Sequence, residues 1–260
     1  MSESSALQSA PVAAPTTQKI VIVMPAYNAA RTIADTVRAI PKGFYDEIVV
    51  VDDHSRDDTR EKAQALNLKV IRHPHNVGYG GNQKTCYMEA LRTGATIVVM
   101  LHPDGQYDPA IIPEMIRPIQ EGRADMVLGS RMLTPGAARR GGMPLWKRIA
   151  NRFLTTTENL AMGRNFAECH TGYRAYSRNF LETVPFLRNS NGFVFDTEVI
   201  FQAVQFQLPV AEVPVESRYF EDASSVGFRQ GVVYGLGTLW TALRFVLHRA
   251  RLAKSNKFRR

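Results

Sequence analysis

The feature that most constrains this chain is a series of short β-branched apolar runs. They alternate with helix-periodic stretches, and each breaks off at a polar cluster. Residues 19–24 (KIVIVM) show no polar alternation, as a strand buried on both faces of a sheet requires. Ile33, Val37 and Ile40 follow at helical spacing within residues 29–40, and Pro41 and Gly43 supply stop signals. Residues 47–51 (EIVVV), 69–72 and 96–101 (TIVVML) repeat the strand pattern, and 126–129 begins a fifth. Residues 57–66, 78–91 and 109–120 read as helices, the first capped by Asp57, Asp58 and Thr59. Such alternation predicts an α/β fold with a mostly parallel sheet covered on both sides. Ligands of these sheets sit beyond the carboxyl ends of the strands. Those ends carry Pro25, Tyr27 and Asn28, then Asp52 and Asp53, then Asp104 and Gln106, and finally Ser130 and Arg131.

With 260 residues, 45% of them hydrophobic, the chain can bury one large core. Residues 1–17, rich in Ser, Ala, Pro and Thr, are expected to form a flexible tail, followed by one domain over 18–230. The tail has neither a basic n-region nor an apolar h-region, so a cytoplasmic start is expected. Cys86 and Cys169 stand far apart without CxxC spacing, which points away from a disulfide framework or structural zinc.

The formal charge of +8 is concentrated at one end: Arg244, Arg249, Arg251, Lys254, Lys257, Arg259 and Arg260 lie in residues 244–260 without an acid. The preceding 231–247 (GVVYGLGTLWTALRFVL) is apolar but interrupted by Arg244, and it falls short of the roughly 20 residues that span a bilayer. Residues 231–260 therefore have two readings. One is an amphipathic segment with a polybasic end on the inner, anionic face of the membrane; the other is a helix packed on the domain with a solvated tail. Nucleic-acid binding ranks last, because the charge sits in one segment with no recognition motif around it.

At the ends of the strands, Asp52 and Asp53 should point to opposite sides of the sheet rim, where one can contact a ribose or base. In His102-Pro103-Asp104-Gly105-Gln106, the donors alternate at a strand end. Asp104 with Gln106 would suffice for Mg2+ or Mn2+ bridging two phosphates, and the softer His102 suits Mn2+. Arg131, Arg174 and Arg218 each read either as a phosphate ligand or as a structural ion pair. Asp196 fits a helix N-cap, and Glu198 a base or an orienting group for an acceptor. Gly78-Tyr79-Gly80-Gly81 lacks the spacing of a dinucleotide fingerprint, and His73 and His75 lack zinc partners.

The succession PAYN (25–28), VVVDDHSRDDT (49–59), HNVGYGGN (75–82), HPDGQ (102–106), GSR (129–131) and TGYR (171–174) resembles family 2 glycosyltransferases. The resemblance is to the branch of dolichol-phosphate mannosyltransferases and bacterial polyprenyl-phosphate relatives, and it covers about residues 19–225. It implies a GT-A fold and an inverting, metal-dependent transfer of a hexose from a UDP- or GDP-sugar to a polyprenyl phosphate. By the family pattern, Pro25, Ala26, Tyr27, Asn28, Asp52, Asp53 and Asp104 would hold the nucleotide sugar. Asp104 and Gln106, with His102, would hold the metal, and Arg131, Arg174 and Arg218 would take phosphates of donor or acceptor. Asp104, Arg131, Asp196 and Glu198 would form the catalytic set. The chain departs from the pattern at Ala29, at His102 and at Ser224-Ser225, where an acid, an acid and a Ser-Lys pair are usual. The alternatives are a soluble, glycan or glycolipid hydroxyl acceptor, for which Asp196 or Glu198 would be essential, and a non-catalytic nucleotide-sugar binder. Oligomeric state is open.

Overall fold

The computed structural model describes residues 18–219 and 227–259; the expected tail, Ser224, Ser225 and Arg260 lie outside the described residues. Seven strands are seen: β1 (Ile20–Ala26), β2 (Glu47–Asp52), β3 (Lys69–Arg72), β4 (Ile97–Met100), β5 (Met126–Ser130), β6 (Arg174–Ser177) and β7 (Val210–Pro214). They form one sheet in the order β3-β2-β1-β4-β6-β5-β7. All pairs are parallel except those made by β6, which runs antiparallel to both β4 and β5. The mostly parallel α/β sheet expected from the alternation is therefore present.

The continuous apolar runs divide their side chains between two cores. Val21 and Val23 of β1 join Val49, Val98 and Met100 on one face; Ile22 and Met24 join Val50, Val99 and Leu101 on the other. All are fully buried, each contributing about 1.5–3 kcal/mol of transfer free energy. Helices α1 (Ile33–Arg38), α2 (Thr59–Ala65) and α4 (Ile112–Gln120) supply the second core, and α3 (Tyr79–Arg92) supplies the first. Short α5 (Ala137–Arg140) leads into α6 (Leu145–Met162); α7 (Arg178–Thr183), α8 (Phe195–Gln205) and α9 (Phe228–Arg249) complete the fold. Ser177 ends β6 and starts α7 at once, because its hydroxyl accepts the Phe180 N–H at 3.0 Å.

Two local expectations are corrected. The helix expected over 29–40 shrinks to α1, because the N–H groups of Asn28, Ala29 and Ala30 donate instead to Ser55 Oγ (2.9 Å), Thr59 Oγ1 (2.7 Å) and Asp57 Oδ2 (3.0 Å). Asn28 turns the chain there in the left-handed region (φ 51°). Asp58 is the N-cap residue of α2 but makes no side-chain cap, and Asp57 spends its carboxylate tying the two loops together.

Helix α9 packs on α6 and α8 through Thr238, Ala242 and Phe245. Beyond it the chain folds back, and Phe258 closes against Phe245. No helix among the described residues is long and apolar enough to cross a membrane.

Candidate active site

The parallel register sets Ala26 beside Asp52, and Asp52 beside Arg72, so the loops after β1, β2 and β3 emerge at one edge. Asp52 is fully buried, its Oδ1 accepting from Ser55 N–H (3.1 Å) and its Oδ2 3.4 Å from Arg72 Nε. Asp53 accepts from the N–H groups of Val77 (2.8 Å) and Gly78 (3.0 Å) and lies 2.8 Å from His73 Nδ1. The carboxylates thus shape two loops, the first under the exposed Tyr27 and the second leading into α3. His73, which the spacing left without a role, is the clasp of the second.

The glycines after Asp53 allow a close approach. A Cβ on Gly80 would sit 2.5 Å from Ser190 O and 2.6 Å from Phe195 Cβ. Without one, the start of α3 abuts residues 190–195, and Gly80 N–H and Gly81 N–H donate to Asn191 O at 2.7 and 3.3 Å. Those donors are spent inside the protein, so the Gly-rich turn is a packing device rather than a phosphate cradle.

This approach places Tyr79 at the centre of the rim. Its hydroxyl donates to Asp196 Oδ2 (2.7 Å) and lies 3.3 Å from His102 Nε2, and the two rings stack with centroids 5.4 Å apart. Burial holds the His102 imidazole below its usual range, against the opposing pull of Asp104 and Asp196. Asp196 is inside α8 rather than at its N-cap, which is Val194. Its carboxylate also accepts from Gln83 (3.1 Å) and lies 3.5 Å from Arg174 Nη1. Glu198, two residues on and facing the other side of α8, accepts from Ser190 N–H (2.7 Å) and is paired with Lys257.

The arginines separate by burial. Arg174 is 0% exposed and donates to the carbonyls of Thr171, Asp196 and Cys169, so its guanidinium is engaged inside the protein. Arg131 is 6% exposed, paired with Glu168, and donates to Tyr219 Oη (2.6 Å) and His170 O (2.7 Å). Burial alone would raise the Glu168 carboxyl; the Arg131 guanidinium outweighs it and holds it below the usual carboxylate range. Arg131 is thus engaged within the protein as well. Arg218 is exposed, and its N–H donates to Gln106 O (2.8 Å) beside the bridge between Tyr107 and Ser217. Of the three arginines it is the one presented next to Asp104 and Gln106.

Asp104 and Gln106 share a tight turn in which Asp104 Oδ1 accepts Gln106 N–H (3.0 Å), and Gly105 takes a positive φ of 72°. The turn is anchored by Thr32 Oγ1 donating to Pro103 O (2.5 Å). Sequence reasoning missed Tyr79, Glu168, Tyr219 and Lys257. Only Tyr79 had a local signal, its place among glycines that had to pack closely.

The chain belongs to glycosyl transferase family 2, whose sequence pattern matches residues 21–184. It is 30% identical over 225 residues to the UDP-N-acetylglucosamine–dolichyl-phosphate N-acetylglucosaminyltransferase of Methanococcus voltae, covering 80% of this chain and 89% of the relative. It is 26% identical to polyprenol monophosphomannose synthase of Mycolicibacterium smegmatis, covering 76% and 77% of the two chains. Glucosyl-3-phosphoglycerate synthase of Mycobacterium tuberculosis, solved with Mg2+ and UDP, superposes with a TM-score of 0.68 at 20% identity, covering 92% of this chain and 82% of that one. That likeness shows a shared fold, the GT-A architecture implied by the motifs.

Proposed function

We propose that the protein transfers a sugar, with inversion, from a nucleotide diphosphate to a polyprenyl phosphate at the inner face of the membrane. The observation that carries this reading is the state of the two carboxylates a hydroxyl acceptor would need. Asp196 is saturated by Tyr79, Gln83 and Arg174, and Glu198 by Ser190 and Lys257. Both are already engaged as acceptors within the protein. A phosphate monoester acceptor has a second pKa of about 6, so it is already largely dianionic at neutral pH and attacks without a base. The names of the archaeal and mycobacterial relatives, both transferases to polyprenyl or dolichyl phosphate, support the same acceptor class.

On the donor side, the loop Pro25, Ala26, Tyr27 and Asn28, together with Asp52 and Asp53, would hold the UDP or GDP moiety, with Asp104 facing the diphosphate. Asp104 and Gln106 offer two hard oxygen donors. No group of three or more His, Cys, Asp or Glu side chains among the described residues could hold a metal alone. That donor set suits Mg2+ or Mn2+ completing its shell with diphosphate oxygens and water. Such an ion, when bound, neutralises charge on the leaving diphosphate. His102, turned toward Tyr79, would act by shaping the pocket more than by ligation. Arg218 would take a phosphate oxygen of donor or acceptor.

The acceptor side would be the face made by α6 and α9. On α6, Leu145, Ile149, Phe153 and Leu160 are exposed; on α9, Val233, Leu236, Trp240 and Leu243 are exposed, with Phe153 at 61%, Leu236 at 63% and Trp240 at 57%. An open groove on this face is lined by Met132, Ile149, Phe153 and Leu160 with Arg148 and Arg152. The Arg148 Nε is buried without a hydrogen-bond partner among the described residues, a donor suited to an incoming phosphate. The only acid on either helix is the buried Glu158. Exposed apolar stripes that carry only positive charge fit an anionic lipid surface and would repel a second copy of themselves. The deciding assay is transfer from radiolabelled UDP- and GDP-sugars, with Mg2+ or Mn2+, to polyprenyl phosphate and to the corresponding free alcohol. Label on the alcohol but not on the phosphate would overturn the reading.

A further inference from the structure

The basic end of the chain is built rather than loose. Helix α9 stops at Arg249, and Arg251 takes the left-handed conformation (φ 62°), which residues other than glycine disfavour. The chain then returns along α8. Gln202 Nε2 donates to Lys257 O (2.9 Å), and Arg188 donates to the carbonyls of Asn256 and Arg259, each at 2.8 Å. Phe258 is buried against Phe245 and His248. The fixed return borders an open pocket of about 590 Å³ whose cationic lining is the half-buried His248 with the exposed Arg249, Arg251, Lys254 and Arg259, and no acid.

These cations share one pocket without an acid, and Arg249 lies over the Phe245 ring at 5.7 Å. The nearest carboxylate on the adjoining helix, Glu198, is taken by Lys257, and none of Arg249, Arg251, Lys254 and Arg259 has an ion-pair partner among the described residues. Ser255 N–H donates to His248 Nδ1 (3.3 Å), which puts the ring proton on Nε2 as a further donor. Bringing like charges together is unfavourable until an anion joins them. Guanidinium groups are the side chains best matched to phosphate oxygens. The volume is that of a ligand pocket, larger than a single carboxylate needs.

We propose that this cavity is a second anion site that takes a phosphate-bearing group, separate from the sugar-transfer rim. Its lining includes Val204 and Gln205 at the far end of α8 from Asp196. At ~1.5 Å per residue this puts it roughly 12–14 Å along the helix from the rim. The phosphate can belong to a lipid headgroup, since the exposed Leu252 and Val246 adjoin it, or to a soluble diphosphate.

The test uses the full chain without divalent metal. Inorganic pyrophosphate is titrated by calorimetry, and phosphatidylcholine vesicles with and without phosphatidic acid are co-sedimented. Wild type is compared with the double variant Arg251→Gln/Lys254→Gln, whose exposed positions leave the melting temperature as a check on folding. The expected loss is about fivefold in affinity per cation removed, so about 25-fold for the pair, as ~1 kcal/mol per charge at an anionic surface implies. A loss confined to pyrophosphate assigns a soluble ligand, and one confined to phosphatidic acid assigns a lipid headgroup. Equal binding by wild type and variant, or binding of neither probe, overturns the site. Sugar transfer to polyprenyl phosphate is scored separately, so failure here leaves the proposed reaction standing, and the reverse also holds.

Discussion

At the rim, the main charged side chains are engaged by the protein itself: Asp53 by two backbone N–H groups and His73, Asp196 by Tyr79, Gln83 and Arg174, Arg131 by Glu168. On the α6–α9 face the reverse holds, and Phe153, Leu236 and Trp240 project from well-formed helices, left more than half exposed by the described residues. The rim's geometry is fixed before any ligand arrives, as preorganised electrostatic stabilisation demands. The helical face is rigid in backbone but unfinished in burial. A cytosolic surface would normally not leave so contiguous an apolar area open.

The comparison can be broken most sharply at Asp104. Asp104→Ala should lower sugar transfer by a hundredfold or more, the usual range for removing one preorganised charge-stabilising group, with the melting temperature unchanged. A variant with near-normal turnover would take Asp104 out of the diphosphate site. Next in size is Glu168→Ala, which leaves the buried Arg131 guanidinium unpaired and should cost about 3–5 kcal/mol in urea unfolding. Pairing it with Arg131→Met should restore much of that loss, because the uncompensated charge is gone. A loss of transfer in the refolded double variant would instead return Arg131 to the phosphate-binding set.

On the other region, Leu236→Ser with Trp240→Ser should abolish most co-sedimentation with anionic vesicles, at about 1.5–3 kcal/mol per side chain withdrawn from the lipid. Both residues are solvent-facing, so unfolding stability should move by only about 0.5 kcal/mol. Undiminished vesicle binding would show that the face serves something other than a bilayer. The smallest effect belongs to Glu198→Gln. A general base would cost about 10²–10⁴ in turnover. Transfer to polyprenyl phosphate should stay within a few fold of wild type, with a modest stability loss from the broken Lys257 pair.

Much of this architecture was legible in the chain. The runs at residues 19–24, 47–51, 69–72 and 96–101 became β1 to β4 with boundaries shifted by no more than two residues at either end, because a strand buried on both faces leaves no other sequence solution. The second half resisted reading. Strand β6 is a four-residue segment, RAYS, with buried Arg174 and Ser177, and its polar content hid it. The arginines were the hardest case. Arg131, Arg174 and Arg218 share a residue type and a place near strand ends, yet burial separates two structural ion pairs from one exposed guanidinium. Nothing in the local sequence encodes which acid, 37 residues away for Arg131, will meet it.

The alternation of apolar runs and polar breaks determined by itself a doubly covered sheet with a polar rim carrying Asp52, Asp53, Asp104 and Gln106, since side-chain period and strand direction are local properties. The concentration of positive charge at the end of the chain was likewise written in the sequence. Which charges remain available was decided only by the tertiary structure. Lys257 turns inward to Glu198, while Arg251 and Lys254 are gathered around an acid-free cavity. Asp196, which local capping rules would place at a helix end, is held instead by Tyr79, brought in from 117 residues away. The strength of a charge depends on its burial and its partners, and both are set by contacts between elements distant in sequence.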